Sequence, residues 1–176
     1  MSKHVAIVCG SVRPASNTLK AINVVAPLLR TLGIAVEVLD PARYALSLAG
    51  FGVAEERQLF LQSLANACTV LMATPEYDGS YSSVLKLLIE NMGYPSVLSG
   101  KPIVILGVST GKIGAIKAIE HLKGVCSHVG GIVLPGALSI AEAGKKFSPD
   151  GECTDVLTLR QLEALAQTVF RAVGPS

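Results

Sequence analysis

Ile7-Val8-Cys9-Gly10-Ser11-Val12-Arg13-Pro14-Ala15-Ser16-Asn17-Thr18 is the stretch on which the reading of the fold turns. The apolar run Val5 to Cys9 reads as a buried strand. It passes into small and polar residues and then into a helical pattern from Leu19. A strand–loop–helix corner of this composition can hold an anion. The hydroxyls of Ser11, Ser16 and Thr18, the Asn17 amide and the loop N–H groups can converge there. The helix N-terminus adds about half a positive charge. Arg13 adds a full charge on a planar fork of donors that fits phosphate oxygens. The same hydroxyls are also ordinary helix caps, so this corner alone leaves a phosphate ligand and a plain capped turn both open.

Outward from that corner, strand-like and helical patterns alternate. Leu19 to Leu32 is a helix with Ala21, Val24, Val25, Leu28, Leu29 and Leu32 on its apolar stripe, ended by Gly33. Ile34 to Leu39 is a second strand, stopped by Asp40 and Pro41. Residues 41–53 resist assignment, and Leu46 to Val53, broken by two glycines, reads as a loop with some buried side chains. Ala54 to Asn66 is a helix, Thr69 to Ala73 a short apolar strand, Thr74 to Ser80 a loop and Ser82 to Met92 a helix. Pro102 to Val108 is the most strand-like run of all. It leads through the glycine-bearing loop Ser109 to Gly114 into a helix over Ala115 to Val129. Gly131 to Leu134 is a fifth strand, Pro135 to Pro149 is irregular, and Thr154 to Val173 is a closing helix. Its inward side is expected to carry Val156, Leu157, Leu159, Leu162, Leu165, Ala166, Val169 and Phe170.

Short apolar strands separated by helices need crossover connections, which predicts a parallel sheet with helices on both faces. The 176 residues suffice for one domain, 1–176, with a sizeable core. Hydrophobic residues make up 50% and charged ones 16%, consistent with a sheet buried on both sides and a surface shared with another copy. A net charge of +2 is too weak to point to nucleic acid or a membrane surface as partner, and it argues against a strongly acidic carrier. No apolar run reaches the roughly 18 residues of a membrane span, and the N-terminus lacks signal-peptide features, so a cytoplasmic location is expected. None of Cys9, Cys68, Cys126 and Cys153 forms a CxxC pair, and His4, His121 and His128 complete no metal spacing. Cys9 and Cys68 are expected as core thiols, His121 and His128 as surface or packing residues.

In such sheets, ligands lie beyond the carboxyl ends of the strands, at the switch point of the strand order. With the order 2-1-3-4-5, the loops 10–18, 74–80 and 109–114 leave adjacent strands and line one crevice. In the second loop, Tyr77 offers a flat amphipathic face for a planar heterocycle. The plainer reading there is a turn with Asp78 and Ser80 capping the next helix. In the third, the glycines permit close approach, and a plain capped turn again fits as well. GxGxxG, GxxxxGK[ST] and GxSxG are all absent, and no nucleophile set can be assembled, so any chemistry belongs to a cofactor.

Gly10-Ser11-Val12-Arg13-Pro14-Ala15-Ser16-Asn17 and Thr74-Pro75-Glu76-Tyr77-Asp78-Gly79-Ser80 together resemble the NADPH-dependent FMN reductase family of flavodoxin-like proteins. Val84-Leu85-Lys86-Leu87-Leu88-Ile89-Glu90 and Leu98-Ser99-Gly100-Lys101-Pro102 extend the likeness over most of the first 115 residues. The resemblance implies a three-layer α/β sandwich with a five-stranded parallel sheet and bound FMN. It implies Ser11, Arg13, Ser16, Asn17 and Thr18 on the 5′-phosphate. Pro75, Glu76, Tyr77, Asp78 and Gly79 would lie along the isoalloxazine ring, with Ser109 and Gly111 at its other edge. Lys112, Ile113 and the segment Asp40 to Val53 depart from the family pattern. The implied activity is transfer of electrons from NADPH or NADH to the flavin and on to a small-molecule acceptor: a quinone, an azo compound, a metal oxyanion or a free flavin. The family also implies a homodimer or homotetramer. The rival readings are a flavodoxin-like electron carrier or FMN-binding module without NAD(P)H activity, and the same fold with an empty site.

Overall fold

A computed structural model describes residues 3–44 and 54–174 of the protein. The expected loop over Leu46 to Val53 lies outside the described residues. The strands are β1 (His4–Cys9), β2 (Ala35–Leu39), β3 (Thr69–Tyr77), β4 (Ser80–Tyr81), β5 (Pro102–Val108), β6 (Ile132–Val133) and β7 (Leu138–Ile140). The helices are α1 (Asn17–Thr31), α2 (Ala54–Asn66), α3 (Ser83–Glu90), α4 (Ile116–His128) and α5 (Val156–Ala172). The sheet runs β2-β1-β3-β5-β6, all parallel. This is the expected order of five positions once the extra strand β4 is counted.

The β1 sequence shows why the layers form. Side chains alternate across a strand. Val5, Ile7 and Cys9 therefore join Leu71, Ala73, Val104 and Leu106 on one face, under α1 and α5. Ala6 and Val8 join Val70, Met72, Ile103 and Ile105 on the other, under α2, α3 and α4. A strand buried on both faces needs the unbroken apolar run that the sequence carries.

Four expectations need correction. The loop assigned to Thr74–Ser80 is mostly strand: β3 continues to Tyr77 and turns back as antiparallel β4, with Glu76 opposite Tyr81 and Tyr77 opposite Ser80. Asp78 (φ 50°) and Gly79 (φ 73°) make the two-residue turn, which demands the left-handed region at both positions. Ser80 thus lies in a strand, and the cap of α3 is Ser82, whose Oγ accepts from Leu85 N at 3.1 Å. The irregular 135–149 stretch contains β7, which pairs with β5 beyond β6, so the fifth sheet position is one interrupted strand. In α5 the buried line is Thr158, Leu162, Leu165, Ala166 and Val169, and a 3.6-residue period through it leaves Val156 and Leu157 exposed. Cys68 is exposed, one residue before β3 begins, whereas Cys9 and Cys126 are buried. Burial pushes the Cys9 thiol up to about 11 and the Cys126 thiol up to about 12. Among the described residues no helix is long and apolar enough to cross a membrane.

Candidate cofactor cleft

The carboxyl ends of β1, β3 and β5 stand side by side, and the loops leaving them close around a cleft of about 450 Å³. Arg13, Ser16, Asn17 and Thr18 line it from the first corner, Pro75, Glu76 and Tyr77 from the second, and Ser109 from the third. Pro14, Ala15, Val108 and Thr110 complete the lining. The sequence reading had not singled these out as ligands, and the left-handed backbone of Ala15 (φ 52°) could not be read from an alanine. Ser11, Asp78, Gly79 and Gly111 fall outside the lining. Ser11 is buried beneath the first loop, where its Oγ accepts from Arg13 N at 3.4 Å. Asp78 lines an adjoining depression, Gly79 serves the turn, and the Gly111 carbonyl accepts from Glu142 N.

The first wall is built on Gly10. Its N–H donates to Ala73 O at 2.7 Å, and a Cβ there would sit 2.8 Å from the same carbonyl. The Ser82 hydroxyl donates to Gly10 O at 2.5 Å while capping α3, so one buried side chain ties the loop to the third layer. Ser82 N in turn donates to Thr74 Oγ1 at 3.1 Å. Ser82 was not among the candidate residues. The signal for it was its place three residues before the apolar Leu85, the spacing of an N-cap. Ser16 caps α1, its Oγ accepting from Leu19 N at 3.1 Å, which leaves the hydroxyl proton free to donate into the cleft.

The second wall does double duty. Glu76 Oε2 accepts from Ala118 N at 3.0 Å, in the first turn of α4, a helix whose own N-cap residue, Ala115, makes no side-chain cap bond. The carboxylate is thus a borrowed cap, well placed against the helix dipole. Tyr77 is partly exposed, and the Arg13 guanidinium lies over its ring at 4.9 Å from the centroid. The third wall is clamped from outside: Ser109 N donates to Ile140 O at 2.8 Å and Ala143 N to Ser109 O at 2.9 Å.

A flavin mononucleotide suits this donor set. Hydroxyl and amide groups and a helix N-terminus gather on one side, an aromatic face with strand-end backbone lies on the other, and the Arg13 guanidinium rests over that face. The volume is within the range of small-ligand sites.

Comparison with known proteins agrees. The sequence profile of the NADPH-dependent FMN reductase family matches residues 3–145. Over 139 residues the chain is 37% identical to an NAD(P)H-dependent FMN reductase of Pseudomonas aeruginosa, covering 74% of this chain and 72% of that one. It is 41% identical over 78 residues to a 2-hydroxy-1,4-benzoquinone reductase of a Burkholderia species, covering 43% of each; the chain thus spans less than half of that relative. Among solved structures, FerB of Paracoccus denitrificans, a flavoenzyme NAD(P)H:(acceptor) oxidoreductase, superposes with a TM-score of 0.83 at 25% identity over 97% of both chains. With its sheet order, its three converging corners and a family match over most of its length, the chain belongs to the NADPH-dependent FMN reductase family of oxidoreductases.

Proposed function

We propose that the protein is an NAD(P)H-dependent oxidoreductase that holds FMN in this cleft and passes electrons to a small-molecule acceptor. The observation that carries the reading is the convergence of three corners, remote in sequence, on one cleft that holds both anion donors and the aromatic Tyr77. Arg13, Ser16, Asn17 and Thr18, with Ser11 beneath them, would hold the phosphate. Pro75, Glu76 and Tyr77, followed by Asp78 and Gly79, would run along the ring, and Ser109 and Gly111 would stand at its far edge. When bound, FMN supplies the redox chemistry between a nicotinamide donor and a second substrate.

The chain's own part is position and exclusion of water. Glu76 is anchored to Ala118 N and acts as a strut of the cleft. The relatives' names favour quinones among the acceptors, with azo compounds and flavins behind them; a metal oxyanion remains a further candidate. A cytoplasmic homodimer or homotetramer fits this reading, and light scattering measures the assembly.

The test is to add NADPH anaerobically to the purified FMN-loaded protein. Prompt loss of the flavin's colour is expected, followed by its return on adding a quinone. Colour that persists would favour an electron carrier, and a protein that takes up no FMN would remove the cofactor itself.

A further inference from the structure

The candidate phosphate ligand and the candidate ring platform touch each other. Arg13 Cζ stands 4.9 Å from the centroid of Tyr77, within the range of a cation–π contact. Both side chains are exposed, both line the cleft, and both also line a polar depression on its other side, shared with Glu76 and Asp78. Neither carboxylate is an ion-pair partner of Arg13 among the described residues: Glu76 is engaged with Ala118 N. The guanidinium therefore keeps its donors for an incoming ligand while its flat face covers the tyrosine.

We propose that Arg13 selects phosphorylated over unphosphorylated flavins by covering Tyr77 until a phosphate draws it away. This rests on the reading that the flavin ring lies against Tyr77. The magnitudes set the direction. A cation–π contact at an exposed site is weak, whereas charge-assisted hydrogen bonds from a guanidinium fork to a phosphate are stronger and directional. FMN thus offers Arg13 a better partner than the ring it leaves. Riboflavin offers none and must displace the guanidinium at a loss. The same side chain then favours one ligand and opposes the other.

The experiment titrates the apoprotein, as wild type and as Arg13→Ala, with FMN and with riboflavin, following flavin fluorescence. Arg13→Ala is expected to weaken FMN binding roughly ten- to hundredfold. The same variant is expected to tighten riboflavin binding roughly two- to fivefold. Inorganic phosphate at saturating concentration should tighten riboflavin binding to the wild type and leave Arg13→Ala unaffected. Weaker FMN binding with riboflavin binding unchanged or weakened would overturn the selection mechanism while leaving the cofactor cleft in place. If neither flavin responds to Arg13→Ala or to Tyr77→Ala, the cleft reading falls, and this inference with it.

Discussion

The first wall of the cleft, residues 10–18, is fastened by its own helix cap and by neighbours across the sheet end: Ser16 to Leu19 N, Gly10 N to Ala73 O, and Ser82 to Gly10 O. The third wall, residues 109–114, is fastened by a segment well beyond the helix it leads into: Ile140 O, Ala143 N, Glu142 N and the Ser139 hydroxyl, which accepts from Ala115 N at 2.8 Å. The first wall combines a cap within its own strand–loop–helix unit with ties to the adjoining β3 and α3. The third has bonds of its own, Gly111 N to Ser109 Oγ and Gly114 N to Gly111 O, and is clamped from outside by the segment around β7.

Substitutions can break or sharpen that contrast. Gly10→Ala should have the largest effect. Its methyl would press on the Ala73 carbonyl and on the Ser82 and Leu85 side chains, a site with little room to yield. A loss of about 3 kcal/mol in chemical denaturation is expected, together with loss of flavin binding. A stable, flavin-binding Gly10→Ala protein would show that the first wall is less tightly built. Ser82→Ala removes both the α3 cap and the donor to a buried carbonyl, for about 2 kcal/mol. Flavin affinity should fall with it, because the Gly10 carbonyl loses its anchor.

Ser139→Ala tests the third wall, at about 1 kcal/mol. Hydrogen exchange should quicken at Ala115 and through 109–114, while the amides of Leu19 and Gly10 stay as protected as before. Unchanged exchange in 109–114 would mean that this loop stands without its outside clamp.

The smallest effect concerns pH. Asp155, the cap of α5, accepts from the Thr158 hydroxyl at 2.6 Å and Thr158 N at 2.8 Å, and from Lys146 Nζ at 3.2 Å. These donors hold its carboxyl at about 2, below the ordinary 3.8. The protonated form loses them, so this contribution is complete above about pH 4 and disappears as pH falls through 2. Asp155→Asn should flatten that part of the acid stability curve. An unchanged curve would remove Asp155 from the fastening of the 146–155 segment.

The same contrast explains what could be read in advance. β1, β5 and the helices show themselves through local periodicity, and the phosphate-type corner through side chains that sit together in sequence. The β3–β4 hairpin carried a local signal, Asp78-Gly79, but proline and glycine there also suit a loop. Burial of Cys68 could not be judged from sequence, because one residue of offset decides whether a side chain stands within the strand or before it. β7 was illegible for a deeper reason: its three residues are held by pairing with β5, a contact with no trace in local pattern. The stacking of Arg13 on Tyr77 likewise joins two corners that the chain keeps far apart.

The interrupted last strand has a consequence for assembly. A long straight margin of free peptide groups invites another chain to add on indefinitely. Here that margin is two short pieces, Ile132–Val133 and Leu138–Ile140, offset by a bend, and the opposite border, β2, has only five residues. Neither rim is a good template for fibre-like growth, so the fold blunts both of its open borders by geometry rather than by covering them.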